Sequence, residues 1–239
     1  MSTVTNQDQE TLAQECMISL VASLADNKAA LGRRYAEWGV SAPTLESAVA
    51  AAAMAQDEMG HARSTYPVVK ALGGEVTEDG WGGDRRLKLL DQELPCWEAL
   101  IACNLLVDGI LTTFVAACVD STVEPMAQRA RKILQEEGAH RVHAEAWARR
   151  LCRSGVTQYA TLRGSIESVW EEAARWPGPD GDEGFAAALE LGMISRSPEQ
   201  LREDVRAWLT ALLASEGLTV ELDGPTDWSR WDAERRRWE

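Results

Sequence analysis

Two short stretches, Gln56-Asp57-Glu58-Met59-Gly60-His61 and Glu136-Glu137-Gly138-Ala139-His140, each place a carboxylate three residues before an imidazole. On an α-helix residues i and i+3 share a face, so Glu58 with His61, and Glu137 with His140, can each reach one metal ion. Two such pairs in one chain point to a metal site built between helices.

Helices with apolar faces must bring the pairs together. From Thr11 to about Trp38, Met17, Val21, Leu24, Leu31, Tyr35 and Trp38 recur at spacings of three, four and seven, with Lys28 on the same stripe and residues 1–10 left as a polar lead-in. A second helix is predicted from Thr44 to Leu72, with Ala51, Met54, Glu58, His61, Thr65, Val68 and Leu72 facing inward. Gly73 to Gly83, including Trp81, reads as a loop long enough to cross over a bundle, followed by a helical turn or two over 85–90. Pro95 opens a third helix whose common face carries Trp97, Ile101, Leu105, Asp108, Leu111, Val115 and Cys118. The fourth, from Thr122 to Cys152, turns Met126, Ala130, Ile133, Glu137, His140, Ala144, Trp147 and Leu151 inward. After Gly155 the pattern predicts helices over 165–176, 183–191 and 198–215, then a tail with Trp228, Trp231 and Trp238 that folds back onto the bundle or onto a partner.

Six ionisable residues interrupt these apolar stripes: Lys28, Glu58, His61, Asp108, Glu137 and His140. An unpaired buried charge costs several kcal/mol, so the six must compensate one another or bind metal, and should converge. The pattern matches ferritin-like carboxylate bundles, in which two helices each give one acid and two each give Glu-x-x-His. The expected fold is therefore an all-α, ferritin-like antiparallel four-helix bundle over 11–155, with a C-terminal helical extension over 156–239 that packs on the bundle or a partner. The first helix, however, supplies Lys28 where an acid is expected. Two divalent ions beside three carboxylates and a protonated lysine would leave about +2 in a buried pocket. Lys28 can replace one metal, lose its proton while two metals bind, or form a carboxylate network that replaces both. His143, one turn beyond His140, reads either as a hydrogen-bond donor behind a ligand or as a partly exposed histidine.

The formal charge of −14 and a sequence pI near 4.7 argue against a nucleic-acid or anionic-membrane partner, which would call for a basic surface. No leader is readable at the N-terminus, and no segment reads as a membrane span. The five cysteines form no C-x-x-C pair and read as reduced core residues of a cytoplasmic protein.

Leu31-Gly32-Arg33-Arg34, Glu37-Trp38, Ala42-Pro43-Thr44-Leu45-Glu46, Gln56 to Arg63, Leu106-Val107-Asp108-Gly109 and Glu136 to His143 together resemble the phenylacetyl-CoA epoxidase (phenylacetate-CoA monooxygenase) family of ferritin-like proteins. The resemblance spans roughly residues 18–152 and continues more weakly into the tail. That family has a catalytic subunit with a di-iron site and a related structural subunit whose site has degenerated. The resemblance implies that Glu58, His61, Asp108, Glu137 and His140 are iron ligands, one or two ions being held and manganese also suiting the set. Lys28 would then be a catalytic proton donor or charge balancer. It further implies an oxygenase acting on an aromatic or acyl-CoA thioester, a separate reductase, and a homodimer or a heterodimer with a related bundle subunit. The first-helix pattern resembles the structural subunit instead, which implies the alternative: a metal-free or metal-poor subunit that docks a catalytic homologue. Iron storage is disfavoured because nothing in the chain suggests a cage-forming surface.

Overall fold

A computed structural model describes residues 6–76 and 83–239. Trp81, read as part of the crossover loop, lies outside the described residues. The described chain is an all-α ferritin-like bundle made of α1 (Asn6–Trp38), α2 (Leu45–Ala71), α3 (Trp97–Ala117) and α4 (Glu124–Arg153). The extension adds α5 (Val156–Ala173), α6 (Glu183–Glu190), α7 (Pro198–Ala214) and a short hairpin, β1 (Trp231–Asp232) with β2 (Arg237–Trp238). Every inward residue read from the four periodic stripes is buried except Trp38, which is half-buried.

Short turns after α1 and α3 make each hairpin antiparallel. The hairpins meet where Asp57 pairs with His140 and Glu136 with His61, a crossing of numbers that makes α2 and α4 antiparallel as well. Thr44 caps α2 by accepting the amide of Ser47, and Ser197 with Gln200 forms a reciprocal capping box at α7. Between the hairpins the chain crosses over α1, where three buried polar side chains hold its backbone. Asp26 accepts the Arg85 amide, Asn27 accepts the Leu87 amide and donates to the Arg85 carbonyl, and Ser23 donates to that same carbonyl. Loop amides are thereby satisfied away from water, as a buried connection requires.

Some boundaries and one composition reading differ from expectation. α1 is already helical at Asn6, the first described residue, where Asn6–Glu10 and Gln7–Thr11 hydrogen bonds support a polar turn that apolar periodicity cannot reveal. α5 begins at Val156, well before residue 165, because its buried stripe starts at Leu162 and Gly164 is accommodated on the exposed side. Of the expected turns over 85–90, one forms, a 3-10 turn at Lys88–Asp91. Against the sequence reading, α3 is long and apolar enough to cross a membrane by composition, yet most of it is buried by the surrounding helices, as a core helix must be. The tail folds back: Trp170 donates to the Asp223 carbonyl, Arg235 pairs with Asp84, Arg237 with Asp91, and Arg175 lies over the Trp238 ring.

α1 and α2 approach closely at Gly32, where an added Cβ would sit 3.1 Å from Met59 Cγ and 3.2 Å from both the Ala55 carbonyl oxygen and Glu58 Cβ. Gly32→Val should therefore cost about 1–3 kcal/mol by overpacking, lowering Tm by roughly 3–10 °C. Gly164→Ala, whose added carbon meets nothing within 4 Å, should be neutral or slightly stabilising in the same calorimetric comparison. Equal Tm values for the two variants would refute the close approach.

Candidate metal centre

The six ionisable residues of the stripes do converge. Lys28 from α1 is fully buried, and its Nζ lies 2.5 Å from Asp108 Oδ1, 2.6 Å from Glu137 Oε1 and 3.1 Å from Glu58 Oε1. The two imidazoles flank this cluster from α2 and α4. His61 Nδ1 is 3.2 Å from Glu137 Oε1, and His140 Nδ1 is 3.3 Å from Asp108 Oδ2 and 3.4 Å from Glu58 Oε1.

Local backbone geometry sets one of these positions. Asn104–Asp108 is a single π-helical turn inside α3, the kind of insertion that re-aims a side chain at functional sites. Asp108 leaves that turn with one oxygen on Lys28 and the other accepting Asn104 Nδ2 at 3.2 Å. Thr112, one turn on, donates to Glu137 Oε2 at 2.9 Å. His143 is half-buried, its Nδ1 3.4 Å from Asn104 Oδ1 and its ring edge-on to Trp97. It thus lies behind Asn104 rather than on the cluster.

Two further residues were not singled out from the sequence. His61 Nε2 is 2.7 Å from Glu136, and His140 Nε2 is 3.3 Å from Asp57. Each repeat is therefore acid-acid-x-x-His. The second acid faces the cluster, and the first reaches across the seam to orient the other repeat's histidine, as carboxylates commonly do behind metal-ligating imidazoles. The doubled acids Asp57-Glu58 and Glu136-Glu137 were the available signal.

Burial alone would lower the Lys28 ammonium, but Asp108, Glu137 and Glu58 outweigh it and hold the group well above its usual range. Burial likewise works against both imidazolium ions, and the carboxylates still win: Glu137 and Glu58 raise His61 to about 9, and Asp108 and Glu58 raise His140 to about 11. Asp108 resists the upward push of burial and is held well below the usual carboxylate range by Lys28 and His140. Glu58 moves up, through burial and the charge of Asp108.

Glu58, Asp108, Glu137 and His140 offer ligand atoms that all lie within 4.8 Å of one another. An ion at their centre would meet the Lys28 ammonium, which contacts all three of the carboxylates. Imidazoles bind metal in their neutral form, so the balance falls on Lys28: with its ammonium in place, the three carboxylates leave two negative charges against the four positive charges of two divalent ions. With Lys28 in this position the residues do not fit a di-metal centre. A cavity of about 410 Å³ opens beside the cluster between α3, α4 and α7, reaching Asp108 and Glu137 and roofed by Trp208 and Arg141.

A four-helix bundle with a carboxylate and Glu-x-x-His pairs at its centre belongs to the ferritin-like carboxylate class, here with a lysine on the first helix. A family described as phenylacetic acid catabolic protein matches residues 1–239, and the chain belongs to that family. Two different subunits of the 1,2-phenylacetyl-CoA epoxidase of Escherichia coli (strain K12) are similar to it. One is 27% identical over 197 residues, covering 80% of this chain and 77% of that protein. The other is 27% identical over 159 residues, covering 64% of this chain and 51% of that protein.

The raised imidazoles carry a pH signature. A histidine whose pKa rises on folding stabilises fully below its unfolded value near 6.5 and loses that contribution as pH climbs through its folded value. Metal-free protein should accordingly lose stability between pH 7 and 10, by on the order of 2 kcal/mol from His61 alone, whose folded value is about 9. His61→Gln should flatten that slope in urea titrations taken across the range. An unchanged slope would show that His61 is not held as an imidazolium.

Proposed function

We propose that this chain is a metal-poor bundle subunit of a phenylacetyl-CoA monooxygenase-like complex, whose role is to dock a catalytic homologue rather than to oxygenate substrate itself. The observation that carries this reading is the Lys28 ammonium seated among Glu58, Asp108 and Glu137. Held well above its usual range, it is a permanent cation where the carboxylate class holds metal. Its removal would leave three carboxylates crowded in a dry interior, so the lysine also stabilises the bundle. Both relatives being subunits of one epoxidase supports a partner for this chain. In this reading residues 11–155 form the bundle core and 156–239 an extension, a division supported by the packing of α5 and α7 on α3 and α4.

A second reading keeps the oxygenase chemistry at a mononuclear site. It is favoured by the compact ligand set of Glu58, Asp108, Glu137 and His140, and by the adjoining cavity of about 410 Å³, large enough for a small organic substrate. Iron there would supply oxygen activation. Asp57 would orient His140, Lys28 would be the neighbouring proton donor, and a separate reductase would be required.

Metal content distinguishes the two. After anaerobic reconstitution with iron or manganese, the purified chain should hold below about 0.2 ion per chain, whereas a folded mononuclear site would retain close to one. Lys28→Glu restores a fourth carboxylate and should raise occupancy towards two. One iron per wild-type chain would overturn the metal-poor reading in favour of the second, and occupancy unmoved by Lys28→Glu would refute the role assigned to the lysine.

A further inference from the structure

A second concentration of charge lies on α4, away from the carboxylate cluster, and here the cations go unanswered. Arg129 is half-buried, and its Nε is shut off from solvent with no acceptor in reach. No carboxylate among the described residues pairs with it, although the chain carries 38 acids. The acids nearby on α4 are turned elsewhere. Glu124 accepts Gln128 Nε2 at 2.8 Å, and Glu136, four residues beyond the exposed Lys132 and so within its ordinary reach, is held by His61 at 2.7 Å. A buried donor without an acceptor is costly, and its persistence in a folded protein calls for a partner from outside the chain.

There is room for one. A cavity of about 380 Å³ opens between the C-terminal half of α2 and the start of α4. Arg129, Lys132 and Gln128 line it from α4, and Pro67, Val68 and Pro125 give it an apolar side. None of the described residues that line it is an acid, and it shares no residue with the cavity beside the cluster.

We propose that this cavity binds the phosphate group of a small phosphomonoester. Two cations with no acid between them call for a dianion, and at neutral pH a phosphomonoester carries close to two negative charges where a carboxylate carries one. The chemistry of the donors agrees. The Arg129 fork suits two phosphate oxygens at once, Lys132 supplies a point charge, and Gln128 keeps a second amide N–H after giving one to Glu124. The volume exceeds what the phosphate alone fills and falls within the range of small-molecule sites, so Pro67, Val68 and Pro125 would meet the carbon part of the ligand. A formal charge of −14 repels dianions at long range, which leaves this local pair of cations to hold one. The site stands whether or not the centre around Lys28 takes a metal.

Calorimetric titration of the full chain at low ionic strength with phenyl phosphate, inorganic phosphate and benzoate tests this. Phenyl phosphate should saturate at one per chain and bind at least about tenfold more tightly than benzoate, which has the ring without the dianion. Arg129→Gln and, at an exposed position, Lys132→Gln should each weaken it by about tenfold or more. Arg131→Gln removes the same charge from the same helix, but Arg131 faces Asp120 at 3.6 Å, so the Kd should not move. Without ligand, Arg129→Gln should melt no lower than the wild type, because it removes a donor that has no acceptor; saturating phenyl phosphate should raise the Tm of the wild type and leave that of the variant unchanged. Inorganic phosphate binding as tightly as phenyl phosphate would overturn the organic carrier. Equal losses in Arg129→Gln and Arg131→Gln would overturn the site in favour of a general charge effect, and a wild-type chain that saturates with neither phosphate would overturn the proposal outright.

Discussion

Everything in the bundle interior depends on one ion cluster, the Lys28 ammonium held by Glu58, Asp108 and Glu137. Taking any one of these groups out of water alone costs several kcal/mol, and no single partner would offset it. With the two imidazoles that flank them they form a set in which each group faces one of opposite sign, so removing one strands its partners. Lys28 on α1 is the one residue that sets this cluster apart from the four-carboxylate pattern of its class.

The scaffold serves that cluster at several points. Gly32 lets α1 and α2 close to the distance at which Lys28 and Glu58 meet. The π-turn in α3 sets Asp108 between Lys28 and Asn104, and Asp57 and Glu136 fix the histidines from the far side of the seam. Ser23, Asp26 and Asn27 anchor the crossover loop to α1, close in sequence to Lys28. The extension then buries α1 and α3, so the helices carrying Lys28 and Asp108 are insulated, while the two histidine-bearing helices keep a surface open.

Much of this was legible in the chain. The four apolar stripes follow from the 3.6-residue period of a helix, and each ionisable residue on them is where that period puts it. The doubled acids at Asp57-Glu58 and Glu136-Glu137 were visible too, but periodicity faces only the second of each pair inward; the first gained its role by reaching another helix. The polar start of α1 and the early start of α5 escaped because exposed helical turns leave no apolar rhythm. Ser23, Asp26 and Asn27 were illegible for the opposite reason, since their partners are loop backbone groups more than 50 residues away.

The sequence by itself determined the class of fold and which side chains face the interior, because helical periodicity is a local property. It also exposed the lysine standing in place of an acid. Only the tertiary structure shows what that lysine meets, because its contacts depend on the distance between helices and on how burial and neighbouring charges balance. At 2.5–3.1 Å from three carboxylates, and shielded from water, the ammonium is favoured over the neutral amine by the charges around it.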